Sequence, residues 1–328
     1  MRILIVKTSS LGDVVHMLPA LTDAQRRLPA LRADWVVEES FAAIPGWHPA
    51  VDRVLPVAIR RWRKQPLNRA VWREVGAFKA ALTAQRYDAV VDTQGLLKSA
   101  WIARLARGPR WGYDRASARE PLASPFYTHR LAVARAQHAI ERNRQLLAGA
   151  LAYALEGLAL DYGLSRPPSA TADLPPVPPR HVLALHGTSR VDKEWPRAQW
   201  IELAHRLAER GSGLVLPWGN ARERERAEAI AAASPASIVL PRLGLDALAS
   251  LIAQAPAVVG MDTGLMHLAA AYGRPGVALY PATAPTLTGV RSAPGAPAIV
   301  NLDGRTEVLS ATRVLGLLQP WLRRTDAT

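Results

Sequence analysis

The chain contains no cysteine, which excludes disulfides and thiolate metal sites and fits a reducing compartment. It also lacks a long apolar run. The most apolar stretch, Leu146 to Leu160, is 15 residues, LLAGALAYALEGLAL, with Glu156 inside it, short of the roughly 18 needed to cross a bilayer. It reads as a core helix of a soluble protein. The N-terminus, MRILIV, has no apolar segment leading to a small-residue cleavage site, so it is not a signal peptide. Walker and GxGxxG loops are absent, as are helix-turn-helix, zinc-finger and RNP patterns, and nucleic acid is therefore not an expected partner. Acidic charge is scarce: 27 Asp and Glu face 41 Lys and Arg, a net charge of +14.

What is present argues for a globular protein, since 49% of residues are apolar. At 328 residues the chain suits two domains of ordinary size. The basic excess is lopsided: residues 1–170 hold 25 Lys and Arg against 14 Asp and Glu, whereas 171–328 hold 16 against 13. An anionic partner is expected on the first half.

Apolar strand-like runs alternate with amphipathic helical segments. In the first half the strands are ILIVK (3–7), DWVVEE (34–39), RVLPVAI (53–59) and DAVVDTQ (88–94), with helices over 13–27, 69–85 and 96–106. SRPPSATADLPPVPPR, residues 165–180, is proline-rich without apolar periodicity and reads as a linker. The alternation then restarts with HVLALHG (181–187), GLVLPWG (213–219), SIVLP (237–241), AVVGMD (257–262) and GVALYP (276–281). The expectation is an α/β protein of two doubly wound domains, 1–164 and 181–328, facing a central cleft, with ligands at the carboxyl ends of strands. The last helix is allowed to return to the first domain.

Four constellations carry chemistry. SSLGD after the first strand offers Ser9, Ser10 and Gly12 for a turn whose N–H groups can face a ligand. Its Asp13 is either a first-turn helix acid or a general base at a strand end. In HGTSRVDKEWP, Thr188 and Ser189 offer hydroxyl donors and Lys193 a point charge suited to phosphate. The bland reading there is a capped loop with Trp195 and Pro196 packed. In GMDTGLMHLAAA a strand ends at Asp262 and a helix follows with His267 one turn in. Thr263 and Gly264 would present free N–H groups to a diphosphate, whereas His267 could equally be a satisfied helix histidine. Arg60, Arg61, Arg63, Lys64, Lys98 and Arg119 form a basic set that is either a solvated face or an anion site.

Taken together, KTSSLGDVVHMLPAL, WVVEESFAAIPGWHPAVDRVLPVAIRRWRK, DTQGLLKSA, DKEWP, LPWG and MDTGLMHLAAA closely resemble the lipopolysaccharide heptosyltransferase family, glycosyltransferase family 9, in order and over essentially the whole chain. The resemblance implies the GT-B fold, two Rossmann-like domains around a cleft. It also implies transfer of L-glycero-D-manno-heptose from ADP-L-glycero-β-D-manno-heptose to the first Kdo of Kdo2-lipid A, with inversion and with neither metal nor cofactor. Asp13 matches the family's catalytic carboxylate. Lys193, Thr188, Ser189, Thr263 and Gly264 would neutralise the leaving diphosphate, and Asp262 and His267 would line the donor site. Glu223 would accept hydrogen bonds from the ribose, and Leu243 would pack on adenine.

The basic set, with Ser10 and Gly12, would meet the acidic acceptor, and the basic first half would hold the enzyme at the anionic cytoplasmic face of the inner membrane. The chain departs from the family at YPATAP, Tyr280 to Pro285, where Pro281 replaces a glycine and removes an N–H; that loop is left out of the expected site. Two alternatives stay open: a heptose-onto-heptose enzyme, which RRWRK disfavours because a Kdo acceptor is more acidic, and a non-catalytic binding module for anionic glycolipid or nucleic acid.

Overall fold

The computed structural model describes residues 1–164, 174–188 and 190–322. The chain divides after Gly163 into two compact units. Much of the expected linker, residues 165–173, and Ser189 lie outside the described residues.

The first unit is built on β1 (Arg2–Val6), β2 (Arg32–Glu38), β3 (Val51–Val57), β4 (Ala89–Asp92), β5 (Arg110–Tyr113) and β6 (His129–Leu131). Its helices are α1 (Leu11–Val15), α2 (Leu18–Arg27), α3 (Ala43–Gly46), α4 (Ile59–Trp62), α5 (Arg69–Thr83), α6 (Leu97–Leu105) and α7 (Ala139–Leu151). The second unit has β7 (His181–Leu185), β8 (Gly213–Leu216), β9 (Ile238–Val239), β10 (Ala257–Met261), β11 (Gly276–Tyr280) and β12 (Ile299–Asp303). Its helices are α8 (Arg197–Ala208), α9 (Ala221–Ala233), α10 (Leu245–Gln254), α11 (Gly264–Ala271) and α12 (Ala311–Leu322).

Both sheets are parallel and share one topology. The first runs β3-β2-β1-β4-β5-β6 and the second, read the same way, β9-β8-β7-β10-β11-β12. This is the doubly wound Rossmann order. It follows from the strands' composition: Ile3, Leu4, Ile5 and Val6 are all fully buried, as strands covered on both faces require. Trp195, Trp200, Leu203 and Leu207 pack with Val314, Leu315 and Leu318 of α12 in the core of the second unit.

Three strands, β5, β6 and β12, go beyond the alternation read from the sequence. Arg, His or Asn shortens or breaks the apolar run in each, and β6 and β12 are edge strands. The expected helix over 13–27 is two helices, because Pro19 starts a new first turn in α2. The core helix expected at 146–160 instead covers Ala139–Leu151 and stops where Ala152 adopts a left-handed conformation. Beyond it, coil packs on the helices: the Tyr153 hydroxyl donates to Ala20 O and Arg144 donates to Leu158 O.

At the amino edge of the first sheet, charge is consumed internally. Buried Asp34 accepts from Arg2, Arg53 and the Tyr87 hydroxyl at 3.2, 2.5 and 2.8 Å.

His48 supplies a pH test of this core. It is buried, with Nδ1 accepting from Ala50 N at 3.2 Å and Nε2 lying 3.0 Å from Thr22 Oγ1. Burial pushes its pKa down to about 4 from the ordinary 6.5. The unfolded chain therefore takes up this proton before the folded one does, and stability present above pH ~6.5 is lost as pH falls towards ~4. A drop of ~2–3 kcal/mol from this group is expected between pH ~7 and ~4.5. Urea midpoints at the two pH values check it, and a His48→Gln variant with an undiminished loss would remove His48 as the cause.

Candidate active site

A parallel sheet gathers the carboxyl ends of its strands along one edge, and ligands bind where the strand order reverses. Here the reversals fall between β1 and β4 and between β7 and β10. The expected motifs follow β1, β7 and β10, so the topology itself brings them to the two reversal points.

After β1 the chain turns through residues 7–10 into α1, with Ser10 as its N-cap. Asp13 sits in the first turn, and its Oδ2 accepts from Ser10 N at 2.8 Å and Ser10 Oγ at 3.2 Å. The capping role is thus real. It occupies one carboxylate oxygen, and Oδ1 makes no hydrogen bond among the described residues. Asp13 is half-buried.

Around Asp13 lies a buried charge network that sequence reasoning missed. Lys7 is buried, and its Nζ donates to Thr93 O at 2.8 Å and Asn143 Oδ1 at 3.4 Å. Burial lowers its pKa, the Asp13 and Asp92 carboxylates pull it back up, and Arg119 and Arg142 push it down. Asp92, at the end of β4, is fully buried, and this raises its pKa against the hydrogen bonds it accepts from Tyr127 Oη at 2.7 Å and Gln94 N at 2.8 Å. Tyr127 reaches it across Gly112, where a Cβ would stand 2.4 Å from the ring. The Arg142 guanidinium covers the Tyr113 ring at 4.6 Å. Lys98 Nζ donates to Ser9 Oγ at 3.4 Å.

Lys7 is buried and close enough to Asp13 for their charges to interact, so any effect on turnover is expected through Asp13. Lys7→Met is expected to lower kcat about tenfold with little change in either KM. The thermal midpoint measured alongside separates this from lost packing, and a native kcat would make Lys7 a packing residue only.

In the second domain Lys193 Nζ meets Asp262 Oδ2 at 2.5 Å, and the same oxygen accepts from Thr283 Oγ1 at 2.8 Å. Thr263 is the N-cap of α11, Gly264 its first residue, and His267 is buried one turn in. Glu194 pairs with Arg222 at 2.8 Å and with Arg226, which ties the 190–196 loop to α9. Glu223, in the first turn of α9, accepts from Gly219 N at 2.7 Å. Its carboxylate lies against Gly187, where a Cβ would stand 2.7 Å from it. Thr188 Oγ1 is buried with no hydrogen-bond partner among the described residues. Leu243 is half-buried ahead of α10, and Trp218 Nε1 donates to Leu240 O at 2.7 Å in the same turn. At the carboxyl edge of the second sheet, a lysine beside a helix N-terminus suits a diphosphate, and at that of the first sheet a half-buried carboxylate suits proton transfer.

A family model described as glycosyltransferase family 9 (heptosyltransferase) matches residues 75–312. The chain belongs to glycosyltransferase family 9. Lipopolysaccharide heptosyltransferase 1 of Pseudomonas aeruginosa is 55% identical over 293 residues, 88% of this chain and 81% of that protein. The protein of the same name from Escherichia coli K12 is 49% identical over 290 residues, 88% of this chain and 90% of its own. Among solved structures, E. coli heptosyltransferase WaaC with ADP superposes with a TM-score of 0.90 at 45% identity, covering 98% of this chain and 100% of that one. The chain is accordingly a glycosyltransferase with the GT-B fold, two Rossmann-like domains.

Within this family 9 enzyme, the expected site residues do not all stand alike. Ser10, Gly12, Asp13 and Lys98 gather at the β1 edge. In the second domain, Lys193 and Asp262 meet directly, and Thr188 lies beside Glu223. Arg60, Arg63, Lys64 and Arg119 are exposed and make no ion pair among the described residues. Arg61 differs: its guanidinium bridges Glu39 at 3.0 Å and Glu74 at 2.8 Å, so it braces α4 against α5 with its charge already balanced. Thr283, in the divergent loop outside the expected site, reaches Asp262; the N–H removed by Pro281 does not touch the side chain two residues on. Its signal was the threonine of YPATAP itself. For Lys7 the signal was a lysine at the end of an otherwise apolar strand.

Proposed function

We propose that this glycosyltransferase moves L-glycero-D-manno-heptose from ADP-L-glycero-β-D-manno-heptose to the first Kdo of Kdo2-lipid A, with inversion. The observation that carries the reading is the set of relatives named lipopolysaccharide heptosyltransferase 1 that match 88% of this chain, joined to a half-buried carboxylate, Asp13, whose Oδ1 makes no hydrogen bond among the described residues. Asp13 Oδ1 takes the proton of the acceptor hydroxyl as that oxygen attacks the anomeric carbon. ADP leaves from the opposite face. Lys193 and the first-turn N–H groups of α11 meet the charge that develops on the diphosphate, while Thr283 and Lys193 hold Asp262 in place. Thr188, Ser189 and His267 complete the donor side; Glu223 takes the ribose, and Leu243 packs on the base.

The acceptor carries carboxylates and phosphates, which suits Lys98 and the exposed Arg60, Arg63, Lys64 and Arg119, which make no ion pair among the described residues. No helix among the described residues is long and apolar enough to cross a membrane; in this reading the basic first domain holds the enzyme at the anionic cytoplasmic face of the inner membrane. Neutralising Arg60 and Arg63 together (Arg60→Ala, Arg63→Ala) is expected to raise the acceptor KM about tenfold or more and the donor KM little. An effect confined to the donor would misplace them.

The deciding experiment is ADP release from ADP-heptose with EDTA present, comparing Kdo2-lipid A with heptosylated Kdo2-lipid A. Release with the unheptosylated acceptor alone supports the reading. Release with the heptosylated one alone makes this a heptose-onto-heptose enzyme, and silence with both favours a binding module.

A further inference from the structure

We propose that the first domain docks on an anionic bilayer through one belt of exposed tryptophan and leucine at the start of α5 and α6. The reading rests on the membrane-held acceptor proposed above and specifies the surface that meets the membrane.

The belt follows from the topology. Helices α5 and α6 pack against each other, and Phe78 and Leu82 of α5 join Ile102 and Ala103 of α6 in one core cluster with Leu4, Val6 and Val90. They lie side by side on one face of the first sheet. α6 follows β4, and α5 leads from the turn after β3 back to the start of β4, so both helices begin at the carboxyl edge, the edge that holds Asp13. Each shows solvent a tryptophan about one turn in: Trp72 is 62% and Trp101 56% exposed. Leu67, just ahead of α5, is 94% exposed, and Leu122, in the turn packed on α6, is 64% exposed.

Large apolar side chains left this open need an explanation when they share one edge. The turn that carries them is not loose. Trp72 Nε1 donates to Pro66 O at 2.8 Å, Trp62 Nε1 to Glu74 at 2.8 Å, and Asn68 caps α5 through Ala70 N at 2.9 Å.

Charge selects the occupant. Arg63, Lys64, Arg69 and Arg73 flank Leu67 and Trp72 along the chain, are exposed, and make no ion pair among the described residues. The nearby Glu74 is already spent on Arg61 and Trp62. Tryptophan among unpaired cations is the composition of an interfacial anchor, with rings at headgroup depth and cations on anionic lipid. A bilayer met by this edge presents a sugar standing above it to the β1 turn, whereas one met by the amino edge would leave Asp13 on the far side of the sheet.

Cosedimentation with vesicles of equal parts phosphatidylglycerol and phosphatidylcholine, without acceptor or nucleotide, tests this. The native protein should bind these vesicles and bind pure phosphatidylcholine much more weakly. Leu67→Ser with Trp72→Ser, and separately Trp101→Ser with Leu122→Ser, should each weaken binding about tenfold, while Val308→Ser in the second domain matches native. Two pairs on separate elements guard against one that folds poorly, and the thermal midpoint checks each. Native protein that stays in the supernatant, or pairs that bind as native does, would overturn the proposal. So would self-association in sedimentation velocity without lipid that both pairs abolish, since the belt would then meet a second copy. Transfer to a deacylated, soluble acceptor should persist in both pairs. If native protein fails that assay but binds vesicles, the assigned reaction is wrong and the docking surface stands.

Discussion

Replacing Asp13 by Asn is expected to lower kcat by about 10²–10⁴-fold while leaving the donor KM within a factor of about two. The amide keeps an oxygen where Oδ2 now accepts from Ser10 N and Ser10 Oγ at 2.8 and 3.2 Å, so the start of α1 keeps its cap. What it loses is the basic oxygen. Asp13→Ala would mix two effects, since removing a cap costs ~0.5–2 kcal/mol of stability, and the turn that positions the acceptor would shift with it. Steady-state kinetics with the thermal midpoint measured alongside separate them. A variant with native stability and native kcat would leave Asp13 as a helix cap and nothing more, and the base would have to be sought elsewhere.

The second large effect is expected at Lys193. Lys193→Ala should reduce kcat/KM for the donor by about 10²–10³-fold, equivalent to ~3–4 kcal/mol. Two losses add: the diphosphate loses its cation, and Asp262, about one-sixth exposed, is left as an unbalanced carboxylate facing the incoming anion. Only the second can be undone by a further change. In the Lys193→Ala background, Asp262→Asn is therefore expected to recover part of the activity, although it is itself harmful in the native enzyme. The interaction energy of this cycle should exceed ~1 kcal/mol. Additive effects would show that the 2.5 Å contact has no part in donor binding, and unchanged kinetics in Lys193→Ala would make it a surface lysine.

The strands that hold these residues were readable because their apolar runs are continuous, as burial on both faces demands: β1, β2, β4, β7, β8, β10 and β11 each have a counterpart in the sequence pattern. β5, β6 and β12 were not, because RWGY and HRL carry few apolar residues and IVNLD breaks its run at Asn301, and their pairing is supplied by neighbours already in the sheet. Asp13, Lys193 and Asp262 were legible as polar residues just beyond apolar strands. Asp92 was not, since inside DAVVDTQ it looks like a strand terminus; its meaning comes from Tyr127, which arrives from 35 residues away. Arg61 was misread for a related reason. In RRWRK it is one cation among four, and nothing local says that Glu39 and Glu74 will claim it.

The sequence by itself determined the two α/β units, the family and the three loops in which chemistry is placed, because these depend on local signals: hydrophobic period, turn residues and short motifs. Tertiary structure alone decided which charges are spent and which are available. Lys7 between two carboxylates, Arg61 between two glutamates and Thr283 on Asp262 are contacts across many residues of chain, and an ionic group acts through the distance and burial of its partners, which only the folded chain supplies.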